Sequence, residues 1–221
     1  MPTTFITGAN RGIGLEFAKQ YAADGWSVIG TAREPDKADA LNAIGAVDVR
    51  QLDVADADGI DRFIAELGDR PIDLFINNAG VYGSNNLDRD DWLKTLEINT
   101  IAPTLLAEKL KSNVAVSEQK KMAVISSMMG SIGDGNGSNA IIYRSSKAAV
   151  NAAWKALSNR YREDGISIAI LHPGWVQTDM GGPNAAIDVD TSVTGLRAVL
   201  DKLSVQSTGR FTAYDGSQLP W

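Results

Sequence analysis

Near the N-terminus an apolar, strand-forming stretch, Thr3-Thr4-Phe5-Ile6, runs straight into Thr7-Gly8-Ala9-Asn10-Arg11-Gly12-Ile13-Gly14. A helical pattern then extends from about Gly12 to Asp24. No other feature restricts the possible folds as much. Glycines at 8, 12 and 14 let the backbone turn sharply and lie close against a ligand. The helix that follows offers free N–H groups and the positive end of its dipole, which suits a pyrophosphate. Leu15, Ala18, Tyr21 and Ala22 share one face of that helix, and Gly25 stops it.

The same alternation continues along the chain. Strand patterns at Trp26–Thr31, Val47–Leu52, Pro71–Ile76, Lys121–Ser126, Ile166–Leu171 and Gly209–Ala213 alternate with helical ones. The helical patterns lie near Ala55–Leu67, Asp90–Val114, Ile142–Glu163 and Val189–Leu203. This order predicts an α/β Rossmann-type fold, a doubly wound parallel sheet with helices on both faces, as a single domain over residues 1–221. In such a sheet a ligand sits beyond the carboxyl ends of the strands, at the switch point.

Composition narrows the function. With 221 residues and 44% hydrophobic content, one packed core is expected. The net charge of −6, with no basic run, gives no footprint for nucleic acid. The absence of cysteine removes disulfides and thiolate chemistry, and a single histidine makes a zinc site improbable, so no metal is expected. No apolar run is long enough for a membrane span and no signal-peptide layout appears, so a soluble, cytoplasmic protein is expected.

Tyr143-Arg144-Ser145-Ser146-Lys147 opens the fourth long helical pattern. Residues four apart stack on one helix face, so a phenol and an ammonium point the same way. A cation about 5 Å away at an effective dielectric near 20 favours phenolate by roughly 3 kcal/mol, or about 2 pKa units. A second positive charge, such as an oxidised nicotinamide, would bring the phenol near working pH. The blander reading is an exposed helical pair worth a few tenths of a kcal/mol.

The G-x-x-x-G-x-G turn at Thr7–Gly14, with Tyr143 and Lys147 far downstream, resembles the short-chain dehydrogenase/reductase family, and the resemblance runs along essentially the whole chain. It implies a dinucleotide cofactor held by Gly8, Asn10, Arg11, Gly12, Ile13 and Gly14. At the end of the second strand Thr31-Ala32-Arg33 stands where NAD-binding folds place an acid. Arg33 can hold a 2′-phosphate bidentately, with Arg11 approaching from the other side, which points to NADP rather than NAD. The resemblance places Asp53 against adenine with the Val54 N–H assisting, although Asp53 could equally cap the helix after it. Asn78, Ala79 and Gly80, in an N-N-A-G stretch, would lie along the cofactor, with Asn77 mainly structural.

Within the long pattern from Asp90, capped by Asp88 or Asp90, an Asn and a Pro are locally unfavourable. The resemblance gives Asn99 a helix distortion and a water that links to Lys147; the alternative is a kink made by Pro103. It assigns the substrate-gripping hydroxyl to Ser127, with Ser126 as the fallback. It sets Pro173, Gly174, Val176 and Thr178 against the nicotinamide. Gly133–Asn139 reads as a polar loop over the substrate mouth.

The implied activity is carbonyl reduction or alcohol oxidation on a small carbonyl or alcohol substrate, with Tyr143 as general acid/base, probed best among ketones, aldehydes and quinones. The implied assembly is a homodimer or homotetramer. The short chain and its Asp215-Gly216…Leu219-Pro220-Trp221 ending are most similar to the branch with C-factor-like proteins and sniffer-type carbonyl reductases. A dinucleotide-binding regulator with incidental catalysis, and an epimerase or dehydratase, are the competing readings.

Overall fold

A computed structural model describes residues 1–135 and 137–221; Asn136, in the loop expected over the substrate mouth, lies outside the described residues. The strands are β1 (Thr3–Ile6), β2 (Ser27–Ala32), β3 (Val47–Gln51), β4 (Leu74–Asn77), β5 (Lys121–Ile125), β6 (Ser167–His172) and β7 (Arg210–Ala213). The helices are α1 (Gly12–Ala23), α2 (Asp39–Asn42), α3 (Ala57–Leu67), α4 (Arg89–Leu96), α5 (Ala102–Lys109), α6 (Lys111–Ala115), α7 (Ile141–Arg160) and α8 (Val189–Asp201). The strands form one seven-stranded sheet in the order β3-β2-β1-β4-β5-β6-β7. Every pairing within it is parallel. The order reverses between β1 and β4, which opens a crevice at their carboxyl ends.

Successive residues of a strand point to opposite faces, so each interior strand feeds two apolar layers. On one face Phe5 stacks on Phe63 of α3 at 5.0 Å and on Phe75 at 5.2 Å, and Phe75 meets Trp154 of α7 at 6.3 Å. On the other face Ile6 and Ile76 pack with Phe17, Tyr21, Val193 and Leu196 from α1 and α8. Of the helix face expected at Leu15, Ala18, Tyr21 and Ala22, Ala18 and Tyr21 are fully buried with Gly14 and Phe17, while Leu15 and Ala22 are partly buried at its edge and Leu15 also lines the crevice. A short one-turn segment at Pro35–Lys37 and the four-residue α2 had no periodicity long enough to betray them.

The region expected as one helix over Asp90–Val114 is broken. Asp88 caps α4 by accepting from the Asp91 N–H at 2.8 Å. A π-helical turn over Glu97–Ile101 then separates α4 from α5. Pro103 has no N–H to donate to the carbonyl four residues back, that of Asn99, so the α-helical ladder cannot pass this point unchanged. Asp53 does not cap α3 either. That helix begins after Asp56, and the Asp53 carboxylate instead accepts from the Ala55 N–H at 3.0 Å in a tight turn.

Candidate active site

The crevice is a cleft of about 690 Å³ that receives the segment following each of β1 to β6. Gly8 to Ile13 and Arg33 line it on the β1–β2 side, with Asp53 and Val54 beyond; Asn78 to Gly80, Tyr143 and Lys147 form the centre, and Pro173 and Thr178 close the far wall. Gly14 does not face the cleft. A Cβ there would lie 2.3 Å from the Gly8 carbonyl oxygen and 2.5 Å from Asn78 Nδ2, so its hydrogen side chain lets α1 pack against the turn. Gly174 and Val176 also stand behind the lining: Val176 is buried and bridges to Ile187.

The turn is tied to β4. The Thr7 hydroxyl accepts from the N–H groups of Asn78 and Ala79, both at 3.0 Å, and donates to Asn77 Oδ1 at 3.3 Å. Asn78 Nδ2 donates to the carbonyls of Thr7 and Gly8 at 3.0 Å each. Its side-chain donors are thus used inside the protein, and what it offers the cleft is backbone. The first turn of α1 carries no side-chain cap and no acidic residue, which leaves its free amides and dipole available to an anion. Gly12 has φ 53, and a Cβ there would meet Thr178 Cγ2 at 3.3 Å across the cleft. These are the features a bound pyrophosphate requires. Arg33 is exposed and, among the described residues, makes no ion pair, whereas the neighbouring Glu34 is taken by Lys37. Arg11 is held by Asp179 at 2.8 Å on the cleft mouth.

At the centre Tyr143 and Lys147 are 8% and 5% exposed, far from the solvated pair of the bland reading. Lys147 Nζ stands 5.6 Å from the Tyr143 ring centroid and donates to the Ile125 carbonyl at 2.9 Å. Gly80 lies close to Asn99: a Cβ there would lie 3.2 Å from Asn99 Oδ1. Burial pushes the Lys147 ammonium down to about 8. Burial pushes the Tyr143 phenol up to about 12, against an opposing contact from the Ser127 hydroxyl. The expected lowering of the phenol is therefore replaced by a rise, because desolvation outweighs the hydrogen bond from Ser127. Of the two candidate serines, Ser127 lies near enough to Tyr143 to draw its phenol down, and its Oγ accepts from the Met129 N–H at 3.1 Å, although it is Ser126 that lines the cleft. The Ser126 hydroxyl turns away to Asn151 Oδ1 at 2.5 Å, leaving its remaining atoms on the cleft wall.

Asn99 reaches the site from the π-helical turn. Its Oδ1 accepts from the Val81 N–H at 2.9 Å, and its Nδ2 donates to the Val81 carbonyl at 2.8 Å and to Ser146 Oγ at 3.0 Å. It fastens the segment after β4 to the helix that carries Tyr143 and Lys147.

A sequence profile described as short chain dehydrogenase matches residues 2–187. The chain belongs to this family of oxidoreductases. Among curated relatives, C-signal of Myxococcus xanthus is 38% identical over 155 residues, covering 68% of this chain and 93% of that one. Among solved structures, the carbonyl reductase Sniffer of D. melanogaster has a TM-score of 0.92 at 31% identity, with all of both chains covered. The NADPH-bound carbonyl reductase from chicken fatty liver has a TM-score of 0.91 at 33% identity, covering 100% of this chain and 99% of that one. Sequence reasoning missed several residues of this short-chain dehydrogenase site. Leu52, Val81, Ile98, Gln177 and Met180 also line the cleft. They are ordinary apolar or amide side chains with no local signal, and only the meeting of strand ends selects them. His172, at the end of β6, is partly buried: desolvation pushes it down to about 4, and its Nδ1 has no hydrogen-bond partner among the described residues.

Proposed function

We propose that this protein is an NADP(H)-dependent carbonyl reductase, working with a small ketone, aldehyde or quinone. The observation that carries this reading is the buried Tyr143 phenol, beside Ser127 and Lys147 at the centre of a cleft shaped for a dinucleotide. The α1 amides, with Gly8, Asn10, Gly12 and Ile13, would hold the pyrophosphate, and Arg33 and Arg11 the 2′-phosphate. Asp53 and Val54 would meet the adenine end, and Ala79, Gly80, Pro173 and Thr178 the nicotinamide end. Reduced nicotinamide supplies the hydride when bound.

Ser127 and Tyr143 would hold the carbonyl oxygen by two hydrogen bonds, and Tyr143 would donate the proton as negative charge develops there. A phenol whose burial keeps it protonated at neutral pH is ready to act as an acid. Lys147, still cationic at neutral pH, would stabilise the phenolate left behind. Asn99 would work in two ways: its side chain holds Val81, and its carbonyl, left without an α-helical donor by Pro103, could hold a water that returns the proton through Lys147. Apolar groups exposed on the flanking segments, Met128, Trp175 and Met180, would favour an apolar substrate body. The exposed apolar face of Leu93, Ile101 and Leu105 would serve a homodimer or homotetramer.

The test is consumption of NADPH absorbance with a panel of ketones, aldehydes and quinones. Tyr143→Phe should cut turnover by about 10²–10⁴-fold while leaving NADPH affinity intact. Equal turnover by the variant would refute the proton-donor role. A signalling role, which the name of the Myxococcus relative favours, predicts tight NADPH binding with no turnover in either protein.

A further inference from the structure

Tyr82 lies on the segment after β4, half-buried, with its ring stacked on that of Tyr143 at a centroid distance of 4.8 Å and 29° between planes. Its backbone is fixed on both sides. Asn99 clamps Val81 through both backbone groups, and Asp91 Oδ2 accepts from the Ser84 N–H at 2.6 Å. The segment turns between these anchors at Gly83, which has φ 72 and no room for a Cβ against Thr95 Oγ1 at 2.7 Å. Two clamps from the α4–α5 region therefore place one aromatic ring against another.

We propose that Tyr82 is a positioning residue that keeps Tyr143 in its protonated, proton-donating form through this stacked contact. The inference rests on the acid role proposed above for Tyr143. The face of an aromatic ring carries the negative part of its quadrupole, so a phenolate stacked on it is repelled while a neutral phenol is not. The same ring excludes water that would solvate the phenolate. Among the described residues, Lys147 is the ionisable group that acts the other way, from the same helix as Tyr143. The segment after β5 contributes the uncharged Ser127 hydroxyl. Asp91 of α4 faces the Tyr82 segment but has its carboxylate engaged by Ser84. Tyr82 and Lys147 are thus opposed controls on one phenol: one holds the proton on, the other eases its departure.

The test compares wild type, Tyr82→Leu and Tyr82→Phe, each against its own counterpart carrying Tyr143→Phe. The difference in near-ultraviolet tyrosinate absorbance during an alkaline titration reports Tyr143 alone, with circular dichroism confirming the fold at each pH. In Tyr82→Leu the apparent pKa of Tyr143 should fall by about half a unit to one unit. Tyr82→Phe, which keeps the ring but removes the charge of the Tyr82 phenolate, should titrate between wild type and Tyr82→Leu. The alkaline limit of carbonyl reduction should move in parallel. A Tyr82→Leu titration that overlays wild type overturns the inference. If that variant does not fold, Tyr82→Met makes the same comparison. A shifted titration in a protein that reduces no carbonyl would support the contact while sinking the acid role of Tyr143. Intact reduction with an unmoved titration would do the reverse.

Discussion

Replacing Lys147 with methionine should make the ligand-free protein more stable while removing its activity. The ammonium is 5% exposed, and burial lowers its pKa from 10.5 to about 8. That fall corresponds to a penalty of about 3 kcal/mol on the charged form at neutral pH. Methionine has similar bulk and no charge, but it leaves the Ile125 carbonyl without the donor now 2.9 Å away, a loss of about 1 kcal/mol. The net gain is about 2 kcal/mol, or about 4–8 °C in Tm for a chain of this size. The sign with pH follows from proton counting. Between about 8 and 10.5 the unfolded chain still binds the lysine proton that the folded protein has released, so wild-type stability rises through that window. Urea unfolding of both proteins across this range should show Lys147→Met more stable at neutral pH, the two curves crossing before pH 10.5, and wild type ahead by about 1 kcal/mol above it, where only the lost hydrogen bond remains. A variant no more stable than wild type at neutral pH, with parallel curves above it, would refute the reasoning. The trade is the expected one for a buried charge kept for chemistry rather than for folding.

Other outcomes follow from neighbouring groups. Arg33→Asp should weaken NADPH relative to NADH by about 10–100-fold, since it replaces an exposed cation without an ion pair among the described residues by a repelling acid; an unchanged ratio of the two dissociation constants would exclude Arg33 from the 2′-phosphate site. His172 is pushed down from 6.5 to about 4 by burial, against the pull of Asp215, so the fold favours its neutral form. The stability it contributes is present above about 6.5 and lost as pH falls toward 4, by at most about 3 kcal/mol, and His172→Gln should flatten that acid limb in unfolding midpoints.

Much of the architecture was written locally. The apolar Thr3–Ile6 stretch, the glycine turn and the amphipathic pattern after it are short-range signals, and each appears where the sequence put it, within a residue or two. The same holds for the alternation of strand and helix that yields a parallel sheet. The long pattern from Asp90 was legible as helix, and Asn99 with Pro103 marked its fault. That the fault would become a π-helical turn was not legible, because it depends on what Asn99 can reach. Val81 is eighteen residues away in sequence and Ser146 forty-seven, and only the packed sheet brings their polar groups within 3.0 Å. Asp53 shows the same limit: a carboxylate before a helix has the chemistry of a cap, but the helix starts three residues later than that reading needs.

The sequence by itself determined which groups are available: a glycine turn before a helix, an arginine where an acid would select NAD, and a phenol and an ammonium one helical turn apart. These depend on covalent structure and on periodicities of a few residues. Tertiary structure decided what those groups do. It set Ser127 beside Tyr143 and turned the Ser126 hydroxyl toward Asn151. It stacked Tyr82 on Tyr143, and it buried both members of the Tyr143–Lys147 pair, so that the phenol is driven up and the ammonium down. Charge energetics depend on how much water remains around a group, and that is set by residues from the ends of several strands meeting at one crevice, which no single stretch of the chain encodes.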